Sequence, residues 1–377
     1  MDLNEEIINK PSNEVKNGEV LVSVRDLVVE FTVRQRILTA IRHINLDIYK
    51  GETIAIVGES GSGKSVFTKT LTGMLEENGK VANGHLYYNG EDLAKYTKTK
   101  EWVHIRGKKI ATIFQDPMTS LNPLLRIGTQ ITEVIRQHRG LNKVEAKKEA
   151  IRLLERVGIK NAEGRFRDYP FQYSGGMRQR VVIAIALACA PDILICDEPT
   201  TALDVTIQSQ ILELIKDLKK EFGFTVLFIT HDLGVVAEVA DRVAVMYAGQ
   251  IVEYGTVNDI YYDPRHPYTW SLLSSLPQLG EKGEALYSIA GTPPSLFDPI
   301  KSDAFAPRNP YALEIDFVKE PPMFKVSDTH YAKTWLLDPR APKVERPAII
   351  GEITERVKKI YAKGGEFDEQ EKESTNK

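Results

Sequence analysis

Gly58-Glu59-Ser60-Gly61-Ser62-Gly63-Lys64-Ser65 decides the reading of this sequence. It fits G-x-x-x-x-G-K-[ST], a loop whose backbone cradles phosphates. Before it, Thr53-Ile54-Ala55-Ile56-Val57 is a short apolar run of the kind that forms a buried parallel strand. After it, Val66 to Met74 reads as a helix. Glycines let the backbone curl so that its N–H groups face an anion, and the helix N-terminus adds partial positive charge. Lys64 can reach β- and γ-phosphates, and the Ser65 hydroxyl can ligate Mg²⁺. The expected nucleotide contacts are Gly58, Ser60, Gly61, Ser62, Gly63, Lys64, Ser65 and Val66. A Gly/Ser linker that merely contains a lysine would lack the flanking strand and helix.

Outward from the loop, the composition is that of a globular protein. Of 377 residues, 42% are hydrophobic and 27% charged, enough for two or three domains. A net charge of −3 supplies no basic field for nucleic acid. Cys189 and Cys196 sit in apolar runs and read as buried hydrophobes, in keeping with a reducing compartment. The acidic start, Met1 to Glu6, lacks the basic and apolar regions of a signal peptide. The longest apolar run, Val181 to Ala190, is too short to span a bilayer. A cytosolic chain is expected, with any membrane role supplied by a partner.

Upstream, Val20–Val24, Leu27–Val33, Leu38–Ile41 and Asn45–Tyr49 alternate as strands of an antiparallel layer. Phe31 has two readings, a platform for an adenine ring or a packing aromatic. Downstream, Lys109–Phe114 is a strand ending at Gln115. Ile127–Arg139 and Lys143–Val157 have helical spacing and high charge, which suggests a helical subdomain inserted over about residues 126–177. Ser174-Gly175-Gly176 opens an apolar helix, either as an N-cap with flexible glycines or as a second anion-binding device. Asp192–Pro199 is a buried strand that delivers Asp197 and Glu198 at its C-terminal end, where α/β sheets place ligands. There Asp197 is positioned for a Mg²⁺ shell, and Glu198 as the base that polarises water. His231 follows another core strand, Phe224–Thr230, and suits either a structural role or a contact to a γ-phosphate. Arg242–Tyr247 and Gln250–Tyr254 form a hairpin through Ala248-Gly249. Prolines crowd the chain from about Tyr262, marking a loop-rich appended domain over 263–350. Residues 1–17 and 351–377 read as flexible.

In order, Gly58–Ser65, Gln115, Ser174-Gly175-Gly176, Asp197-Glu198, Asp204 and His231 resemble the nucleotide-binding subunit of an ABC transporter. The likeness covers about residues 20–350. Tyr173 and Met177 stand where the commonest signature has Leu and Gln, a variant typical of the oligopeptide/dipeptide importers. Phe114–Pro123, His266-Pro267-Tyr268 and Gly291–Pro294 point to the same branch. The chain is similar to the first ATPase subunit of oligopeptide permeases, particularly of Gram-positive bacteria. The resemblance implies an ABC-type α/β fold with an antiparallel β layer, ATP and Mg²⁺ as cofactors, and ATP hydrolysis that powers oligopeptide import. Gln115 would contact Mg²⁺ or water and link to the membrane subunit, and His231 would be the switch histidine. Ser174, Gly175 and Gly176 would cap an ATP held by a second cassette, and Asp204 would face that cassette. The partners implied are a paralogous second ATPase subunit, two transmembrane permease subunits and an extracytoplasmic peptide-binding protein. Nucleic acid is not among them. The location implied is peripheral, on the cytoplasmic face of the membrane.

Three rivals differ in sequence. A soluble ABC ATPase of DNA repair or translation would carry a coiled coil or second cassette. A P-loop kinase or GTPase would lack Ser174-Gly175-Gly176 and His231. A non-catalytic binding module would not need Lys64, Asp197 and Glu198 together. A dipeptide, nickel or other small-solute importer is the close alternative. Many members of this branch hold an iron–sulfur cluster on cysteines of the appended domain. The matching positions here are Asp303, Asn309, Asp316 and Thr334, so no thiolate is left for iron and no cluster is expected. Such oxygen donors would suit at most Mg²⁺ or Ca²⁺.

Overall fold

The computed structural model describes residues 18–201, 203–275, 289–347 and 350–351. The expectations of flexible ends over 1–17 and 352–377 lie outside the described residues. The strands are β1 Val20–Val33, β2 Arg36–Tyr49, β3 Thr53–Val57, β4 Gly79–Tyr88, β5 Glu91–Asp92, β6 Ile110–Ile113, β7 Ile193–Asp197, β8 Thr225–Thr230, β9 Arg242–Tyr247, β10 Gln250–Thr256, β11 Phe324–Lys325 and β12 Tyr331–Ala332. The helices longer than a single turn are α1 Lys64–Thr72, α2 Ile127–Arg139, α3 Lys143–Arg156, α4 Gly175–Leu187, α5 Val205–Phe222, α6 Leu233–Val239, α7 Val257–Tyr262 and α8 Pro267–Ser274.

Alternation in the N-terminal segments builds a four-stranded antiparallel sheet in the order β2-β1-β4-β5. The breaks in that alternation are bulges, not strand ends. The β1–β2 register shifts between Val24 and Leu27, where Asp26 takes φ 48°. The short apolar runs build an eight-stranded sheet in the order β11-β12-β10-β9-β3-β8-β7-β6. Its centre, from β9 through β3, β8 and β7 to β6, is parallel. Being covered on both faces, these strands need apolar residues at every position. Ile54, Ile56, Leu227 and Ile229 pack towards the antiparallel sheet. Ala55, Val57, Val226 and Phe228 pack towards α4 and α5. Cys196 lies in that second core, where burial pushes its thiol pKa up. The helices expected over 127–139 and 143–157 are present as α2 and α3. The second opens with a capping box in which Asn142 accepts from Val144 and Glu145 N–H groups.

Among the described residues, the appended region forms no sheet of its own. Its strands β12 and β11 extend the main sheet, with Glu253 opposite Ala332 and Tyr254 opposite Tyr331. Glu320 adds polar links to the core, meeting Arg42 of β2 at 3.2 Å, Gln250 of β10 at 2.6 Å and Lys333. The positions matched to cluster cysteines are all buried, and each accepts a nearby backbone N–H. Asp303 accepts from Phe305 (2.9 Å), Asn309 from Tyr311 (2.9 Å), Asp316 from Leu313 (2.6 Å) and Thr334 from Leu336 (3.3 Å).

Candidate ATP site

Four neighbouring parallel strands end at one edge of the sheet. Pairings at Val57↔Thr230, Ile113↔Cys196 and Asp197↔Ile229 bring those ends level. The segments that leave them carry the phosphate loop, Gln115, Asp197-Glu198 and His231. The carboxyl edge of a parallel sheet is where such folds bind ligands.

The loop is shaped by what its glycines avoid. Gly63 has φ 107°, and a Cβ there would stand 2.7 Å from Met246 Cε and 2.9 Å from the Ala40 carbonyl oxygen. A Cβ on Gly58 would overlap the Met246 carbonyl. Above Gly61 the space is open. The Ser62 hydroxyl is buried with no hydrogen-bond partner, an orphan that a phosphate oxygen would satisfy. The Lys64 ammonium donates to the Gly58 and Glu59 carbonyls at 2.7 and 2.9 Å. Burial lowers its pKa, while the carboxylates of Glu198, Asp197 and Glu59 oppose that shift. Helix α1 starts at Lys64 rather than Val66 and ends at Thr72, where Gly73 caps it in the left-handed region.

Glu198 is the centre of a polar cluster. Its Oε2 accepts from Gln115 Nε2 at 2.8 Å and from Thr201 Oγ1 at 3.1 Å, while Oε1 lies 3.0 Å from His231 Nδ1. Its backbone N–H donates to Ile229 O at 2.9 Å, and its φ is +47°. Side chains other than glycine seldom adopt that conformation, and such strain gathers at functional sites. Asp197, next door, has its pKa raised by burial and then by the Glu198 charge, with Lys64 pulling the other way. The structure thus brings Gln115, Glu198 and His231 together beside the loop. Thr201 joins them, and nothing in its sequence context distinguishes it from an ordinary turn threonine. Gln179 was also silent in the sequence. It is fully buried on α4, and its Nε2 donates to Pro199 O at 2.7 Å, tying that helix to the Glu198 turn.

Ser174 and Asp204 each cap a helix. The Ser174 hydroxyl accepts from Met177 N–H at 3.4 Å, and Asp204 Oδ1 accepts from Ile207 N–H at 3.0 Å. Ser174, Gly175 and Asp204 are exposed, and Gly176 abuts Ile207 of α5. The buried Tyr173 donates its hydroxyl proton to Arg165 O at 3.0 Å, anchoring the turn before α4.

Of the two readings of Phe31, burial favours the packing aromatic. It is only 8% exposed, and a Cβ on Gly79 would stand 2.5 Å from its ring. The ring packs in the β1–β4 core, so in this conformation it offers no free face to a base.

Two family models match the chain. That of the ABC transporter covers residues 41–201, and that of the oligopeptide/dipeptide transporter C-terminal region covers 252–315. The oligopeptide transport ATP-binding protein AmiE of Streptococcus pneumoniae is 63% identical over 343 residues, which is 91% of this chain and 97% of that protein. OppD of Bacillus subtilis is 58% identical, covering 88% of this chain and 92% of its own. The dipeptide transport protein DppD of Lactococcus lactis is 57% identical, covering 86% and 93%. Among solved structures, the dimeric post-hydrolysis state of the ATP-binding cassette MJ0796 bound to ADP and Pi aligns with a TM-score of 0.56 at 30% identity, over 63% of this chain and 98% of that one. The cbiO1 subunit of the Clostridium perfringens cbiONQ transporter aligns with a TM-score of 0.57 at 27% identity, over 65% and 92%. With matches of this extent at both ends, the chain belongs to the family of oligopeptide and dipeptide transport ATP-binding proteins of ABC transporters.

Proposed function

We propose that this chain hydrolyses ATP to power oligopeptide import, with Glu198 as the base. The observation that carries the proposal is the Glu198 cluster, in which a carboxylate at the sheet edge is held by Gln115, Thr201 and His231. The open space over Gly61, the orphaned Ser62 hydroxyl and the Lys64 ammonium fit the phosphates of ATP. The Ser65 hydroxyl, the Asp197 carboxylate and the Gln115 amide oxygen are hard donors that suit Mg²⁺, which when bound would neutralise charge between the β- and γ-phosphates.

In the reaction, a water oxygen bonds to the γ-phosphorus and the bond to the leaving ADP oxygen breaks. Glu198 takes the water's proton, while Lys64 and the loop N–H groups hold the charge that builds on phosphate. His231 is placed to orient Glu198 and to sense the γ-phosphate. A paralogous cassette would complete the site in trans, and Ser174, Gly175 and Asp204, exposed on this chain, would complete the partner's together with Gly176.

Two permease subunits are the proposed membrane partners, with a peptide-binding protein outside. Among the described residues no helix is long and apolar enough to cross a membrane. Leu124, in the segment that follows Gln115, is 83% exposed and Phe171 70%, apolar surface that suits a membrane subunit. We propose a nucleotide-binding unit over 18–262 and a C-terminal unit over 263–350. A dipeptide importer is the second reading, favoured by the 57% identity to DppD. In the reconstituted transporter, Glu198→Gln should bind ATP yet hydrolyse it at least about 100-fold more slowly. Near-normal turnover would reject Glu198 as the base.

A further inference from the structure

Glu59, the second residue of the phosphate loop, is held at both ends by the appended region. Its backbone N–H donates to the Tyr268 hydroxyl at 2.8 Å. Its carboxylate receives Arg308 as a fork, Nη1 to Oε2 at 2.7 Å and Nη2 to Oε1 at 3.0 Å. The other guanidinium donors reach Tyr247 Oη at 3.2 Å, Ala290 O at 2.9 Å and Ile289 O at 3.4 Å. All five N–H groups of Arg308 therefore have acceptors. The side chain is 4% exposed and lies over the rings of Tyr247 and Phe305, at 5.7 and 6.0 Å. Those rings pack with Tyr268 at centroid distances of 4.5 to 5.3 Å.

Arg308 is buried and Glu59 half-buried, and a bidentate fork between them fixes direction as well as distance. What it fixes is the loop. The chain that supplies Ile289 and Ala290 runs on to Pro293, Pro294 and Leu296, which wall a small cavity whose opposite side is Ser60, Gly61 and Ser62. Thr39 N–H pins that wall to β2 through Leu296 O at 3.0 Å. The Glu320 links hold the same region to β2 and β10 without touching the loop, so docking alone does not require the Arg308 pair.

We infer that Arg308 is a positioning residue for the ATPase reaction: through Glu59 it sets the shape of the phosphate loop, and so makes nucleotide affinity depend on the appended region. This rests on the nucleotide site proposed above.

The test is titration of the purified full chain with the fluorescent nucleotide mant-ATP and MgCl₂. Arg308→Ala and Glu59→Ala should each weaken binding about tenfold, and the double variant should be no weaker than either single one, because both remove one interaction. Arg308→Lys, which keeps charge but loses the fork, should fall between. Glu320→Ala should lower the melting temperature and leave affinity unchanged, which separates loop positioning from domain docking. If Arg308→Ala does not fold, Glu59→Gln decides, with an expected loss of about threefold. Unchanged affinity in the folded Arg308 or Glu59 variants, or additive losses in the double variant, would overturn the inference alone. A wild-type chain that does not bind mant-ATP would overturn the nucleotide site and this inference with it.

Discussion

At the scale of single residues, chemistry was legible where a residue type and its place on a strand coincided. Lys64, Asp197, Glu198 and His231 follow apolar runs, and the sheet brings those ends level. Thr201, Gln179 and Arg308 were not legible, because their partners are distant in sequence and no local pattern marks them. Phe31 stayed open between two readings for a related reason, since an aromatic residue on a strand fits a core as well as a base. Asp303 shows what a side chain's surroundings add. Burial, then the neighbouring Asp316, raises its pKa from the ordinary 3.8 to about 6, against a hydrogen bond from the Phe305 N–H. The folded state thus holds the proton more tightly than the unfolded chain. The stability this group contributes is fully present below about pH 4 and is lost as pH rises through about 6. Asp303→Asn keeps the acceptor for Phe305 and removes the charge. It should stabilise the protein at pH 7.5 by up to about 3 kcal/mol and flatten the change in stability between pH 4 and 6. Melting temperatures across that range check it, and equal pH dependence in both proteins would refute it.

At the scale of elements, hydrophobic period located most of the sheet but not its continuity. β1 and β2 each read as two strands because a bulge interrupts the alternation, and the paired neighbour carries the strand across it. β11 and β12 have two residues each, too few for any period to register, and they exist because β10 offers an edge. The β3–loop–α1 unit was legible except for the ends of its helix, since its glycines answer a steric demand. Gly63→Ala would place a methyl 2.7 Å from Met246 Cε in a left-handed conformation. We expect it to cost about 2–4 kcal/mol and to abolish mant-ATP binding in the folded fraction. Chemical denaturation and titration read the two effects. Wild-type values in both would mean that the loop is not held as described.

At the scale of the whole molecule, the two half-sites proposed for this chain are carried by different elements. The Glu198 cluster and phosphate loop share the sheet edge, while Ser174 and Asp204 sit exposed on the helical side. This division was legible only through family resemblance, because no spacing tells which residues act on a partner. The role of the appended region was less legible still. Its prolines and lack of period announce loops, not a hold on Glu59 or strands added to the core sheet.

On the proposed reading, this chain hydrolyses ATP in a site completed by a second cassette. The most direct measurement compares ATPase rates per site for the isolated chain, the assembled transporter, and the transporter with Ser174→Arg in this chain, alongside mant-ATP binding. Assembly should raise the rate at least about tenfold, Ser174→Arg should remove this gain, and the isolated variant should bind mant-ATP as wild type does. Equal rates for the isolated chain and the transporter, or a Ser174→Arg transporter as fast as wild type, would contradict it.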